Sequence, residues 1–143
     1  MNILMAFLDA QRTNAILFAR MTLAAILIVA GYGKLFQTGI PAVMDGFANM
    51  GLFAAPVLGV LVPLLEFFGG IAILLGIGSR LVSIWVVVQF VLIAIYVKPA
   101  LQDAGWGPVR LDITIAVLGY FIAAYGPGPM ALGSRIVGRR WAQ

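Results

Sequence analysis

The sequence contains neither cysteine nor histidine among its 143 residues. Without cysteine, the chain's own side chains can form no disulfide, carry no thiol redox chemistry and ligate no iron–sulfur cluster. Without histidine, they can supply no histidine-ligated haem, no histidine zinc site and no histidine general base. We therefore predict no metal site and no catalytic residue. Any redox role must depend on a bound organic carrier or on the cofactor of a partner.

Charge is also scarce. Charged residues make up 10% of the chain and hydrophobic residues 63%, whereas soluble domains are about 25% charged. Such a composition cannot cover a water-facing surface, so we expect membrane lipids around the protein. The net charge is +4, but the basic residues stand at the ends of apolar runs, which is typical of membrane proteins and not of a nucleic-acid-binding patch.

Four apolar runs predict four membrane-spanning helices. They are Ala15–Phe36, Ala54–Ile77, Leu81–Val97 and Leu111–Tyr125. The first is long enough to cross a hydrocarbon core of about 30 Å. The fourth is short, and we expect Val109 and the segment after Gly126-Pro127-Gly128-Pro129 to supply the missing length. We predict an all-α integral membrane four-helix bundle that forms a single domain over residues 1–143.

The segments between the runs are more polar. Residues 37–53 keep apolar residues at helical spacing, with Pro41 suited to a first turn and Gly51 to an end, so they predict a short amphipathic helix between spans 1 and 2. Residues 1–14 fit either a short interfacial helix or a frayed terminus. Residues 98–110 predict a polar loop.

The distribution of lysine and arginine predicts the orientation in the membrane. The side that holds both termini carries Arg12, Arg20, Arg80, Arg135, Arg139 and Arg140, and the opposite side carries Lys34, Lys98 and Arg110. We therefore expect a multi-pass protein of the cell (inner, cytoplasmic) membrane with both termini in the cytoplasm. Interfacial aromatic belts are then predicted, with Trp85 and Trp141 inside and Tyr32, Tyr96 and Trp106 outside.

Glu66 is the most informative residue, because it interrupts an otherwise apolar span. An acidic side chain at that depth costs about 2.5–3.5 kcal/mol or more, so it should face the bundle interior and be paired or protonated. Counted from the predicted span ends, Arg20 lies at a similar depth, and we predict a buried Arg20–Glu66 pair, with Arg80 at the start of the third span as the competing partner. Such a pair would serve either to bind a ligand or only to hold two helices in register.

Further polar residues and glycines complete the predicted sites. Gln89 suits a hydrogen bond either to another helix or to a quinone carbonyl. Gly69 and Gly70 allow close approach of a neighbouring helix or of a flat ring. A second, interfacial charge cluster is predicted at the outer end, where ordinary snorkelling is the simpler interpretation. Its members are Lys34, Lys98, Arg110 and Asp112.

Several short motifs follow one another in order along the chain. They are Arg20, Gly31-Tyr32-Gly33-Lys34-Leu35, Met50-Gly51, Glu66-Phe67-Phe68-Gly69-Gly70, Leu75-Gly76-Ile77-Gly78-Ser79-Arg80 and Tyr125-Gly126-Pro127-Gly128. Over roughly residues 16–134, their order and spacing resemble the DoxX family of small membrane proteins. The resemblance implies a four-helix bundle and an association with redox systems, such as a thiosulfate:quinone oxidoreductase or oxidative-stress enzymes.

Two functions fit these observations. One is a membrane subunit of a redox or respiratory-type complex with a pocket for quinone or another isoprenoid near Glu66. In that case, the chain takes part in catalysis only as a subunit of a membrane oxidoreductase, alongside other integral membrane subunits. The alternative is a non-catalytic scaffold or accessory subunit that packs against larger membrane proteins and lipids.

Overall fold

The computed structural model describes residues 2–103, 105–128 and 130–132, and this part of the chain is helical, with no β-strand. Four of its helical stretches are long and apolar enough to cross a membrane. They are Asn14–Thr38, Ala55–Leu75, Ser79–Leu101 and Trp106–Tyr125. The predicted all-α membrane bundle with four spans is confirmed.

The described part of the chain has five α-helices and two π-helical segments. In chain order they are α1 (Asn2–Tyr32) followed by a π-helical segment (Gly33–Thr38), α2 (Ile40–Asn49), α3 (Ala55–Leu75), α4 (Ser79–Leu92) followed by a second π-helical segment (Ile93–Leu101), and α5 (Trp106–Tyr125). Both π-helical segments end a membrane span, and each contains a lysine.

Two segments differ from their predictions. Helix α1 begins at Asn2 and runs into the first span without a break, so residues 2–14 form neither a separate interfacial helix nor a frayed end. Helix α5 begins at Trp106, because Pro108 stands in its first turn, where no backbone N–H is needed. The predicted 98–110 loop therefore shrinks to residues 102–105, and the fourth span reaches about 30 Å.

Helices α1 and α3 are antiparallel and meet backbone to backbone. A Cβ atom on Gly31 would lie 2.4 Å from the backbone nitrogen of Phe67, and one on Gly70 would lie 2.9 Å from the backbone nitrogen of Ile28. Only glycine allows this approach, as is common where membrane helices pack closely. These two contacts set the register between the first two spans.

The predicted amphipathic helix is confirmed as α2. Its Val43 is buried, and Met44 lies against Gly59 of α3, where a Cβ atom would come within 2.5 Å of the methionine Cγ. Helix α2 therefore lies across the first half of α3. We call this end of the bundle, which also holds residues 102, 103 and 105, the α2 end.

The other end of the bundle is closed by residues 126–128 and 130–132, which we call the strap. The backbone N–H of Leu132 donates to the carbonyl of Leu75 at 2.9 Å, and Ala131 fills the space above Gly76. Gly76 and Gly126 have φ angles of +74° and +83°, which favour glycine. The strap is thereby tied to the end of α3, and we call this end the strap end.

Candidate functional site

Glu66 points into the bundle and is 2% exposed. Its partner is Lys34, whose Nζ donates to Glu66 Oε2 in an ion pair. Lys34 is the second residue of the π-helical segment Gly33–Thr38. π-Helical turns are rare in proteins overall, but those that occur are often found at functional sites. Here one carries the basic partner of the buried carboxylate.

Gln89 of α4 is the second partner of Glu66. Its Nε2 donates to Glu66 Oε1 at 2.7 Å, and its Oε1 accepts a hydrogen bond from Trp85 Nε1 at 2.9 Å. Trp85 and Gln89 are four residues apart and share a face of α4. A continuous chain of polar contacts therefore runs from Trp85 through Gln89 and Glu66 to Lys34, which we call the polar relay.

All four residues of the polar relay line one cavity of about 330 Å³. This volume is within the range of small-molecule sites, which are mostly apolar with a few convergent polar groups. The cavity lies between α2, α3, α4 and the second π-helical segment. Its other lining residues are Phe47, Met50, Leu52, Leu58, Val62, Val88, Leu92, Ile93, Val97 and Gln102.

The α2 end closes over this cavity. The Nε2 atom of Gln102 lies 3.0 Å from the Met50 sulfur, within hydrogen-bond distance. Both residues line the cavity together with Phe47. The polar relay therefore lines the side of the cavity that faces the interior of the bundle, and α2 lines the opposite side. A ligand can place its polar head at Glu66 and Lys34 while its apolar part contacts the remaining lining.

The charges in the cavity are balanced and unequally exposed. The Lys34 side chain is 33% exposed, whereas Glu66 is almost fully enclosed. A lysine ammonium has three N–H donors, and the contact with Glu66 uses one of them. Lys34 can therefore donate to a ligand carbonyl in the cavity without giving up its ion pair.

The predicted Arg20–Glu66 pair is wrong. Arg20 Nη1 donates to the carbonyl of Pro127 in the strap. Because Gly31 lies opposite Phe67 in the α1–α3 register, Glu66 is level with the end of α1. That end is twelve residues from Arg20, which is about 18 Å along the helix. Counting depth from the start of the apolar run placed Arg20 too deep, since α1 extends beyond that run.

The structure separates the predicted interfacial charge cluster into pairs. Lys34 pairs with Glu66, while Lys98 pairs with Asp112 and donates to the carbonyl of Pro108 at 3.0 Å. Asp112 is 5% exposed, so the second pair is enclosed and does not merely snorkel to the interface. Arg110 is exposed and is not in the cluster.

The two glycines predicted beside Glu66 do not line the cavity. A Cβ atom on Gly69 would lie 2.9 Å from Val82 Cγ1, and one on Gly70 would meet Ile28. Both glycines accommodate neighbouring helices, so of the two predicted alternatives the structure supports helix packing. Gln89 hydrogen-bonds Glu66 on another helix, which is the first of its two predicted alternatives, and it also lines the cavity.

Sequence reasoning missed the part that Trp85 plays in this cavity. Trp85 was expected in the inner aromatic belt, but its ring lines the cavity and its indole N–H ends the polar relay. The spacing of Trp85 and Gln89, four residues apart in a predicted helix, was the available signal. No cluster of three or more potential metal-ligating side chains occurs among the described residues.

Four apolar membrane-spanning helices, with an ion pair buried beside a cavity, define a small polytopic membrane protein of the four-helix-bundle class. The model of the DoxX family matches residues 15–99, and the chain belongs to this family. The match includes Lys34, Glu66, Trp85 and Gln89, whereas the Tyr125–Gly128 motif lies beyond it. No curated protein and no solved structure matches the chain.

Proposed function

We propose that this DoxX-family membrane protein binds the head group of a quinone or a related isoprenoid in the cavity at Glu66. The observation that carries the proposal is the polar relay in the wall of an otherwise largely apolar cavity. A quinone has two carbonyl acceptors on a flat apolar ring. Lys34 is the donor best placed for one carbonyl, and the aromatic side chains of Trp85 and Phe47 suit the ring.

The proposed role in redox chemistry is that of a membrane subunit that holds the carrier. Reduction of a quinone to a hydroquinone takes up two electrons and two protons. Because the sequence has no cysteine or histidine, we assign the electrons to a partner protein. Glu66 and Lys34 are the groups on this chain that can accept and supply a proton at the head group.

Tryptophan fluorescence provides a direct test of binding. We expect decylubiquinone to quench the fluorescence of the purified protein in detergent, because Trp85 lines the cavity. Trp85→Phe should remove most of the saturable quenching, whereas Trp106→Phe is the matched control, since Trp106 is exposed at the start of α5. Lys34→Met should weaken binding about tenfold, as expected for loss of one charged hydrogen bond.

Extraction of the purified protein with organic solvent is the second measurement. We expect quinone or another isoprenoid to be recovered from the parent protein at a higher ratio than from Lys34→Met. A parent protein that retains no such compound, and whose fluorescence shows no saturable quenching, would contradict the proposal.

The alternative function, a non-catalytic scaffold, is favoured by a different surface. A groove of about 260 Å³ runs between α4, the second π-helical segment and α5. Its lining is apolar apart from the phenol of Tyr120, with Val91, Ile95 and Val117 among the residues, so it can accept a partner helix or a lipid chain. Isolation in mild detergent at native expression tests this function, and recovery of a monodisperse chain without a partner would speak against it.

The orientation in the membrane stays a prediction, with both termini in the cytoplasm. Because the chain has no native cysteine, single introduced cysteines report topology without interference. Gly105→Cys should be labelled by a membrane-impermeant maleimide from outside intact cells, since residue 105 is exposed at the α2 end. Ala142→Cys should be labelled only after the cells are permeabilised, and the reverse labelling would invert the orientation.

A further inference from the structure

Two arginines meet the strap at the end of the bundle opposite the cavity. Arg20 is 3% exposed, and its Nη1 lies 3.2 Å from the position of a Cβ atom on Gly76 and donates to Pro127 O. The Nε and Nη2 atoms of Arg80 both lie 3.2 Å from the position of a Cβ atom on Gly126. The two guanidinium groups thus approach consecutive residues of the strap from α1 and α4.

No acidic side chain is described at this end of the bundle. The chain has five acidic residues. Glu66 and Asp112 pair with lysines, while Asp45 in α2 and Asp103 in the 102–105 loop belong to the α2 end. Asp9, in the first part of α1, is eleven residues before Arg20, or about 16 Å along the helix.

The helix ends do not balance the two positive charges either. Helices α3 and α5 end here and α4 begins here. A helix C-terminus carries about half a negative charge and an N-terminus about half a positive one. The three ends together offset only about half a charge, so more than one positive charge remains. Enclosed charge without a counter-charge is costly in a membrane protein.

Hydrogen-bond donors at this end are also unused. Within the described part of the chain, Arg20 Nε, Arg80 Nε and Ser79 Oγ are buried without a hydrogen-bond partner. Ser79 is 2% exposed and is the first residue of α4, a helix of 14 residues. Arginine side chains beside a helix N-terminus are the arrangement that binds oxyanions in many proteins.

We propose that Arg20, Arg80 and Ser79 bind one phosphate-type oxyanion at the start of α4, beneath the strap. The site lies where the second span ends and the third begins, the level at which lipid phosphates are found. Its ligand is therefore either the phosphate of an anionic lipid or free phosphate. The site is independent of the cavity at Glu66 and stands whether or not a quinone binds there.

The test uses the full-length protein, purified and delipidated in a non-ionic detergent. Thermal unfolding is followed with phosphatidylglycerol or phosphatidylcholine added to the micelles, and with sodium phosphate or sodium chloride at equal ionic strength. We expect the anionic probe to raise the Tm. Arg80→Gln should weaken its apparent affinity about tenfold, Arg80→Lys should weaken it less, and the exposed Arg110→Gln should leave it unchanged.

Each result separates the possibilities. A rise with phosphatidylglycerol but not with sodium phosphate identifies a lipid head group, and a rise with sodium phosphate that phosphatidylglycerol does not exceed identifies a free anion. No rise with either probe overturns the site. The site is also overturned if Arg80→Gln lowers the Tm yet keeps the full ligand-induced rise, since the arginines then only hold the strap. The same holds if Arg110→Gln weakens binding as much as Arg80→Gln does. Native mass spectrometry of the parent protein counts retained phospholipid without using a variant.

Discussion

Replacing Lys34 by methionine should destabilise the folded protein by about 3–5 kcal/mol, the usual cost of removing one partner from a buried ion pair. The loss arises because Glu66 remains enclosed at 2% exposure with only Gln89 as its partner. The measurement is unfolding by SDS in detergent micelles, followed by far-UV circular dichroism.

A double-mutant cycle distinguishes the observed pair from the one predicted from the sequence. The double variant Lys34→Met/Glu66→Gln should recover most of the lost stability, because the neutral amide at position 66 can still accept the Gln89 hydrogen bond. In the same assay, Arg20→Met and Glu66→Gln should be additive within about 0.5 kcal/mol, as expected for sites far apart. Strong coupling of Glu66 to Arg20 and none to Lys34 would mean that the α1–α3 register is wrong.

Gly31→Ala should destabilise the bundle by about 3 kcal/mol, at the upper end of the range for overpacked sites. A methyl group at this position would lie 2.4 Å from the backbone nitrogen of Phe67 and 2.7 Å from its Cα. Backbone atoms cannot rotate away, so α1 and α3 must separate or slide. Folded yield in detergent and unfolding by SDS measure the effect.

The matched control is Gly46→Ala in α2, where a Cβ atom would meet nothing within 4 Å. Its expected effect is neutral or slightly stabilising, by up to about 1 kcal/mol, because alanine reduces the conformational freedom of the unfolded chain. Equal stability of the two variants would show that α1 and α3 are not in close backbone contact.

Displacement of Gly31 should also affect the cavity, because Lys34 is only one turn further along the chain. A shift of α1 relative to α3 changes the distance from Lys34 Nζ to the Glu66 carboxylate. We therefore expect the folded fraction of Gly31→Ala to show weaker quinone quenching than the parent, whereas Gly46→Ala should match it. This links the glycine contacts, which are structural, to the proposed binding site.

The enclosed ion pairs and the strap end differ in how their charges are balanced. At the α2 end and in the cavity, each buried acid has a lysine partner. At the strap end, Arg20 donates to the Pro127 carbonyl and Arg80 lies beside Gly126, and helix termini are nearby, but neither arginine has a described carboxylate partner. This asymmetry is the physical reason to look for a small neutral ligand at one end and for an anion at the other.

The sequence by itself determined the class of protein and most of the architecture. Length and apolarity are local properties of each run, so four spans could be recognised without knowing how they pack. The amphipathic spacing of residues 37–53 likewise predicted α2. Glu66 could be recognised as an enclosed residue, since an acid within an apolar span has few alternatives.

Only the tertiary structure decided which residues meet. The partner of Glu66 depends on the register of α1 against α3, which is set by the contacts of Gly31 and Gly70 with another helix, and on the π-helical segment that carries Lys34. The four-residue spacing places Trp85 on the same face of α4 as Gln89, but only the rotation of α4 in the bundle turns that face toward the cavity. Helix rotation and register arise from contacts between residues distant in sequence, and for that reason counting depth along a single span led to Arg20 instead of Lys34.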